Sequence, residues 1–303
     1  MPEIVRQRDG LGEILVQPQR ARDGAPDLRD LHRVMAEYEA RTTVIAGGTN
    51  LIPDMRNGEK APELLLDISD LTELSYIREE NGSIAIGAAT TIAEMAASPV
   101  LLDNSPILAS AAKQLGNPLT RNRATLGGNL ANASPCADTA PPLLALGASV
   151  EILSPGGKTR QVPLSKFFQG YKFTDLVKGD VLTGIRFSKP DDSTKSSHTK
   201  IGLRNAASIC VASIAVALDM DGKACRKARI AAGSVAPIPM RVSRVEKLLE
   251  GREIDAALLE ECMAAVKGEI SPISDIRGSQ EYRSYVTAMI LKRNIKRALK
   301  QEN

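Results

Sequence analysis

The chain has 303 residues, more than a single domain usually holds, and its 43% hydrophobic and 25% charged residues mark an ordinary globular protein. A net charge of +3 with no basic stripe interleaved with aromatics argues against a nucleic-acid partner. Two histidines and four cysteines without a C-x-x-C pair leave no material for a zinc site, a Ser-His-Asp triad, an iron–sulfur cluster or a disulfide framework on this chain.

Taken in order, residues 1–25 are charged and weakly periodic, lack the apolar core of a signal peptide, and read as an extension. Residues 30–40 place Leu31, Val34, Met35 and Tyr38 on one helical stripe. Residues 42–46 form a β-branched strand that runs into Gly47-Gly48, then Thr49 and Asn50, a natural anion-binding turn of backbone N–H groups. Residues 64–68 read as a short buried strand. Asn81-Gly82 marks a hairpin turn, and Thr91 with Glu94 three residues later has the form of a capping box. Residues 106–115 form a helix stopped by Gly116 and Pro118. A polar loop over 120–142 follows, and Pro141-Pro142 opens a short helix closed by Gly147.

Strands at 149–154 and 158–163 enclose Pro155-Gly156-Gly157. The string GGKT at 156–159 is therefore a hairpin turn and no P-loop, since strand pattern continues after it. The polar, proline-interrupted residues 188–197 read as a linker. Beyond it come strands at 198–203, 209–218 and 225–232, then helices at 241–249, 255–267 and 281–300. The pattern is α/β before the linker and α+β after it. No apolar run is long enough to span a membrane, and scattered thiols fit a reducing cytoplasm.

Chemistry concentrates in the 120–142 loop. Gly127 and Gly128 lack Cβ atoms, so the backbone there is free to take positive φ and approach a ligand closely. Thr125, Asn129, Asn132, Ser134 and Thr139 donate hydrogen bonds, and Asp138 accepts from a sugar hydroxyl or, alternatively, caps a helix. Arg121 and Arg123 face either a phosphate or solvent. Cys136 has no cation or histidine among its sequence neighbours, which reads as a small buried filler. Two glycine turns, at 47–48 and 127–128, suit the two phosphates of one pyrophosphate.

The strings AGGTNL (46–51), RNRATLGGNLANASPCADTAPPLLAL (121–146) and PISDIRGSQEYR (272–283) resemble the FAD-binding subunit of the molybdenum hydroxylases, the xanthine dehydrogenase and carbon monoxide dehydrogenase family. The resemblance implies a two-part FAD-binding domain of the vanillyl-alcohol-oxidase type over 26–187, and after the 188–197 linker an α+β domain of the CO dehydrogenase flavoprotein type over 198–303. It further implies that Val44, Ile45, Ala46, Gly47, Gly48, Thr49, Asn50 and Leu51, with Thr125, Gly127, Gly128 and Asn129, wrap the FAD pyrophosphate. Asp138 would bind a hydroxyl of the FAD chain, Leu115 and Gly116 would line the cofactor, Leu182 would lie against the flavin ring, and Lys200 would approach it from the second domain. Lys200 otherwise reads as an edge-strand surface lysine. Molybdopterin and [2Fe–2S] clusters are implied on large and small partner subunits, with NAD or another acceptor taking the electrons. Thr49-Asn50 stands where carbon monoxide dehydrogenases carry His-Ser, and no cysteine-rich segment interrupts 131–142, as it does in the benzoyl-type reductases. The alternatives are a stand-alone flavoprotein of the same superfamily and a scaffold subunit that has lost FAD.

Overall fold

The computed structural model describes residues 42–300, together with 7–9, 12–14, 31 and 35. Strands β1 (Gln7–Asp9) and β2 (Gly12–Ile14) pair antiparallel. The helix expected over 30–40 lies outside the described residues except for Leu31 and Met35, both buried against Leu66, Leu71 and Leu74.

β3 (Thr42–Ile45) runs parallel to β4 (Leu64–Asp67), and helix α1 (Leu51–Arg56) lies on the connection between them. A five-stranded antiparallel sheet follows, in the order β5 (Ile77–Glu80), β6 (Ser83–Gly87), β11 (Val181–Ser188), β7 (Ser149–Leu153), β8 (Thr159–Pro163). Its β5–β6 hairpin turns at Asn81 and Gly82, with φ of 50° and 71°. Two consecutive left-handed residues make the turn whose twist matches flanking strands. The second hairpin closes through Ser154, whose N–H donates to Lys158, so GGKT is a turn as expected.

Six short helices sit between β6 and β7: α2 (Ile92–Ala97), α3 (Pro99–Asn104), α4 (Pro106–Gln114), α5 (Pro118–Arg121), α6 (Leu126–Ala131) and α7 (Ala140–Ala145). The Thr91–Glu94 capping box is present in both directions, and α3, α4 and α5 begin on proline, where the missing N–H costs nothing. The stretch read as one polar loop is thus partly helical. Two of the breaks fall at residues whose side chains satisfy a helix end: Asn117 accepts from Thr120 N and Thr125 from Gly128 N. Gly147, at φ 68°, follows the end of α7. Helix α8 (Leu164–Phe167) and the strand pair β9 (Phe168–Gly170) and β10 (Phe173–Thr174) complete this half.

The second half is one antiparallel sheet, β12 (Thr194–Gly202), β13 (Cys210–Asp221), β14 (Ala224–Gly233) and β15 (Met240–Arg241), followed by α9 (Ser243–Leu249), α10 (Ala256–Lys267) and α11 (Gln280–Ala298). Strand β13 is buried on both faces. Ala212, Ile214, Val216 and Leu218 meet the helices, while Ala215 and Ala217 meet Ala145 of the first half. That double burial explains its apolar run, broken only by the buried Ser213 between Cys210 and Leu218.

Two expectations shift. Of residues 188–197 only 189–193 lie outside strands, because the hydroxyls there are used: Thr194 donates to Asp219, and Ser197 and Thr199 both donate to the buried Asn294 of α11. The helix expected from 241 begins at Ser243, because Met240 and Arg241 pair with β14. Arg283 of α11, 2% exposed, donates to the carbonyls of Val211 and Ser234 and pairs with Asp275 at 2.7 Å.

Candidate cofactor site

The two glycine turns meet in space. A Cβ on Gly47 would fall 1.8 Å from the carbonyl oxygen of Arg123, so the first turn lies directly on the backbone that leads into α6. Gly48, at φ 68°, makes the left-handed step from β3 towards α1. The second glycine pair differs from expectation. Gly127 and Gly128 are helical with no positive φ, and a Cβ on Gly127 would sit 2.8 Å from the carbonyl oxygen of Ala88. Gly127 is therefore small so that α6 fits against the end of β6. Thr125 holds the first turn of α6 through its hydroxyl, which accepts from Gly128 N at 3.1 Å.

Between the turns lies a cavity of about 230 Å³. Val44, Ile45, Ala46, Gly47, Gly48, Thr49, Asn50 and Leu51 form one wall, and Thr125, Gly128, Asn129 and Leu115 face them. The start of α1 and the start of α6 both border this space, and helix starts carry unbonded N–H groups and partial positive charge. Asn50 caps α1 without a side-chain bond, which leaves its amide for a ligand. Sequence reasoning missed Thr43, Lys60, Thr120, Ala124 and Ala131 on the same walls, and Asn132, expected only as a donor in the loop, joins them. Lys60, 3.5 Å from Asp54, has no sequence signal that would have found it. Thr120 and Asn132 stood inside the expected loop.

A second cavity, about 280 Å³, opens on the other side of the Gln114–Leu115–Gly116 turn. Lys200, Gly202, Arg204 and Ser208 line it together with Gln114. Here Lys200 and Asp138 meet, their side chains only 6% and 10% exposed, with Nζ 2.7 Å from Oδ2. Lys200 also donates to the Gln114 carbonyl at 3.1 Å. Lys200 is therefore no surface lysine, and Asp138 is no helix cap: the cap of α7 is Thr139, which has no side-chain bond to it. Burial pushes the Asp138 carboxyl above its ordinary range, and the Lys200 charge opposes but does not cancel that push. Its second oxygen, Oδ1, is buried without a hydrogen-bond partner. A buried acceptor in that condition costs free energy until a donor arrives.

Gly116, at φ 50°, turns the chain between the two cavities, and Arg121 braces the turn by donating to the carbonyl of Leu115. Arg123 is exposed. Leu182 lies in the core of the first half, 5% exposed, and lines neither cavity. Cys136 has a cation beside it after all: Nη1 of Arg277 stands 4.0 Å from its Sγ, supplied from 141 residues away. A larger cleft of about 510 Å³ at the 188–191 crossing is lined by Arg229 and Arg241, each already paired with a carboxylate, Asp219 and Glu246.

These residues have the chemistry to hold a pyrophosphate and a hydroxyl of FAD. The two helix starts bordering the first cavity suit its phosphates, and the unpartnered Asp138 oxygen suits one of its hydroxyls. Among the described residues no cluster of histidine, cysteine and carboxylate could hold a metal.

The sequence matches the family described as the FAD binding domain in molybdopterin dehydrogenase over residues 24–190 and the CO dehydrogenase flavoprotein C-terminal domain over 197–298. It is 34% identical to the carbon monoxide dehydrogenase medium chain of Afipia carboxidovorans, over 84% of this chain and 88% of that one. It is 30% identical to a putative xanthine dehydrogenase FAD-binding subunit of Escherichia coli, over 91% and 94%. Among solved structures it superposes on CO dehydrogenase from Oligotropha carboxidovorans with a TM-score of 0.85 at 32% identity, covering 90% of this chain and 94% of that one. Quinoline 2-oxidoreductase from Pseudomonas putida gives 0.83 at 29% identity, covering 91% and 95%. The chain belongs to the FAD-binding medium subunits of the molybdenum hydroxylases.

Proposed function

We propose that this chain carries FAD in a heteromeric molybdenum hydroxylase, takes electrons from [2Fe–2S] clusters on a small partner subunit, and passes them to an external acceptor such as NAD. Substrate is hydroxylated at molybdopterin on a large partner, so the chain needs no catalytic acid or base of its own. FAD exchanges electrons singly or in pairs, which joins one-electron clusters to a two-electron acceptor. The backbone around Gly48 and the starts of α1 and α6 hold the pyrophosphate; Asp138 Oδ1 accepts from a hydroxyl of the FAD chain. Lys200, fixed by Asp138 and Gln114, sets an ammonium beside the flavin and thereby raises its potential. Residues 26–187 form the FAD-binding domain, 198–303 the second domain. Relatives named for carbon monoxide, glyceraldehyde and nicotinate are all about equally similar, so the likeness selects no substrate. Four free thiols suit a reducing cytoplasm.

The observation that carries this reading is the buried, half-satisfied Asp138 paired with Lys200, which lines the second cavity. The test is a visible absorption spectrum of the purified protein before and after denaturation. Paired flavin bands released on denaturation, with iron and molybdenum in the co-purifying complex, are expected. A colourless protein that fails to take up added FAD overturns the reading.

A further inference from the structure

Four thiols are free, and they fall into two environments. Cys225 and Cys262 lie at 0% exposure inside the core between sheet and helices, and burial pushes both thiols up to about 11. Cys136 and Cys210 meet where the loop after α6 crosses onto the second half. Cys136 is half-buried, and its Sγ donates to the carbonyl oxygen of Cys210 at 3.6 Å. Cys210 is 1% exposed, and its thiol lies among the hydroxyls of Ser213 and Ser234 and within reach of the charge on Asp138.

The two cysteines are held together by backbone as well. Ser234 N donates to the Pro135 carbonyl at 2.8 Å, and Lys172 N donates to the Ala133 carbonyl at 3.2 Å, so the loop bearing Cys136 is clamped on both sides. Arg277, whose guanidinium also pairs with Asp275 at 2.9 Å, donates towards Cys136 Sγ from 4.0 Å and so offers an N–H to the sulfur as it attacks a peroxide. One thiol is thus reachable, charge-assisted and fixed. The other is shielded and adjacent.

We propose that Cys136 and Cys210 are a peroxide-oxidisable pair, closing a disulfide that staples the loop carrying Asp138 to the first residue of β13. Cys136 sulfur attacks hydrogen peroxide and breaks its O–O bond, giving a sulfenic acid and water. Cys210 sulfur then displaces the hydroxyl, which leaves as a second water with the Cys210 proton. Two thiols lose two electrons and two protons to one peroxide, and a thiol reductant reverses the step. Burial raises the Cys210 thiol to about 12, so the second step is slower than the first. The pair is independent of whether the neighbouring cavity holds FAD.

The test is peptide mapping of the purified full chain after brief hydrogen peroxide treatment, with alkylation under denaturing, non-reducing conditions. The expected result is loss of two of the four alkylatable thiols, a linked Cys136–Cys210 peptide, and full recovery after dithiothreitol. Cys210→Ser should leave Cys136 as a sulfenic acid that dimedone labels, and Cys136→Ser should leave Cys210 alkylatable. Oxidation of Cys136 in the wild-type chain without the cross-link overturns the proposal. So does a cross-link between Cys225 and Cys262 instead, or four intact thiols at a peroxide dose that oxidises an exposed thiol control. The wild-type map decides alone if either variant fails to fold.

Discussion

The two halves of this molecule bury their backbones in opposite ways. The second half uses strands of 9, 12 and 10 residues and helices of 12 and 19, so nearly every peptide group finds its partner within a long regular element. The first half strings helices of 4 to 9 residues between two strands, and each break creates helix ends that need partners. Some ends are met by side chains such as Thr91, Asn117 and Thr125; others are left at a cavity wall. The difference teaches that short elements are how a chain keeps polar backbone available inside a packed domain. The second half then adds the Lys200 ammonium to a carboxylate held by the first.

That contrast can be broken most sharply at Gly47. Gly47→Ala drives a methyl into the Arg123 carbonyl, a backbone atom that has no rotamer to escape into, and should cost about 4 kcal/mol. Gly58→Ala, at φ 74° with nothing within 4 Å, should cost only about 1 kcal/mol. Equal losses in denaturant melts of the two variants would refute the tight meeting of the turns. Next, Lys200→Met leaves Asp138 buried without a counter-charge, and should cost about 3 kcal/mol and lower the flavin potential. An FAD-loaded variant with unchanged potential would leave Lys200 a role in domain docking only.

A smaller effect separates the halves by pH. Both ring nitrogens of His198 of β12 are buried without a partner, and that burial, helped by the Lys200 charge, lowers it from 6.5 to about 4. Below pH 6.5 the unfolded chain binds a proton that the folded chain refuses until about pH 4, so stability falls as pH drops through that window. The loss between pH 7 and 5 should be about 2 kcal/mol. His198→Phe should flatten that slope; an undiminished slope in the variant would assign acid sensitivity elsewhere. The smallest effect is at the capping box, where Thr91→Ala should cost about 1 kcal/mol in a thermal melt, and no measurable change would mean that Glu94 alone secures α2.

Local chemistry was legible in the sequence wherever the deciding contacts are local. Asn81-Gly82 demands its turn, Thr91 and Glu94 their box, and both are present. One wall of the first cavity was readable because it is a continuous stretch, 44–51; the facing wall is drawn from scattered positions, Leu115, Thr120 and 124–132, and was read only in part. What stayed hidden depends on distant partners. Gly127 suggests a flexible turn until Ala88 is seen beneath it, and residues 194–197 suggest a linker until Asp219 and Asn294 are seen to accept from the hydroxyls of Thr194 and Ser197. Cys136 lacks a cation until Arg277 arrives from the far end of the chain. Leu182 carries no polar signal to tell cofactor wall from core; it is 5% exposed and packs with the hydrophobic cluster of the first half.

The Asp138–Lys200 bond has one more consequence, because it crosses between the halves. So do the bonds from Arg229 to the Ala145 carbonyl and from Ser234 to the Pro135 carbonyl, but only the first ends on an atom pair with an unused acceptor. A hydroxyl donated to Asp138 Oδ1 favours the charged carboxylate, and a charged carboxylate grips Lys200. Ligand occupancy and docking of the halves are then two readings of one equilibrium, and each must strengthen the other by the same factor. Cleavage of the 189–193 connection should therefore release the second half more readily from stripped protein than from loaded protein.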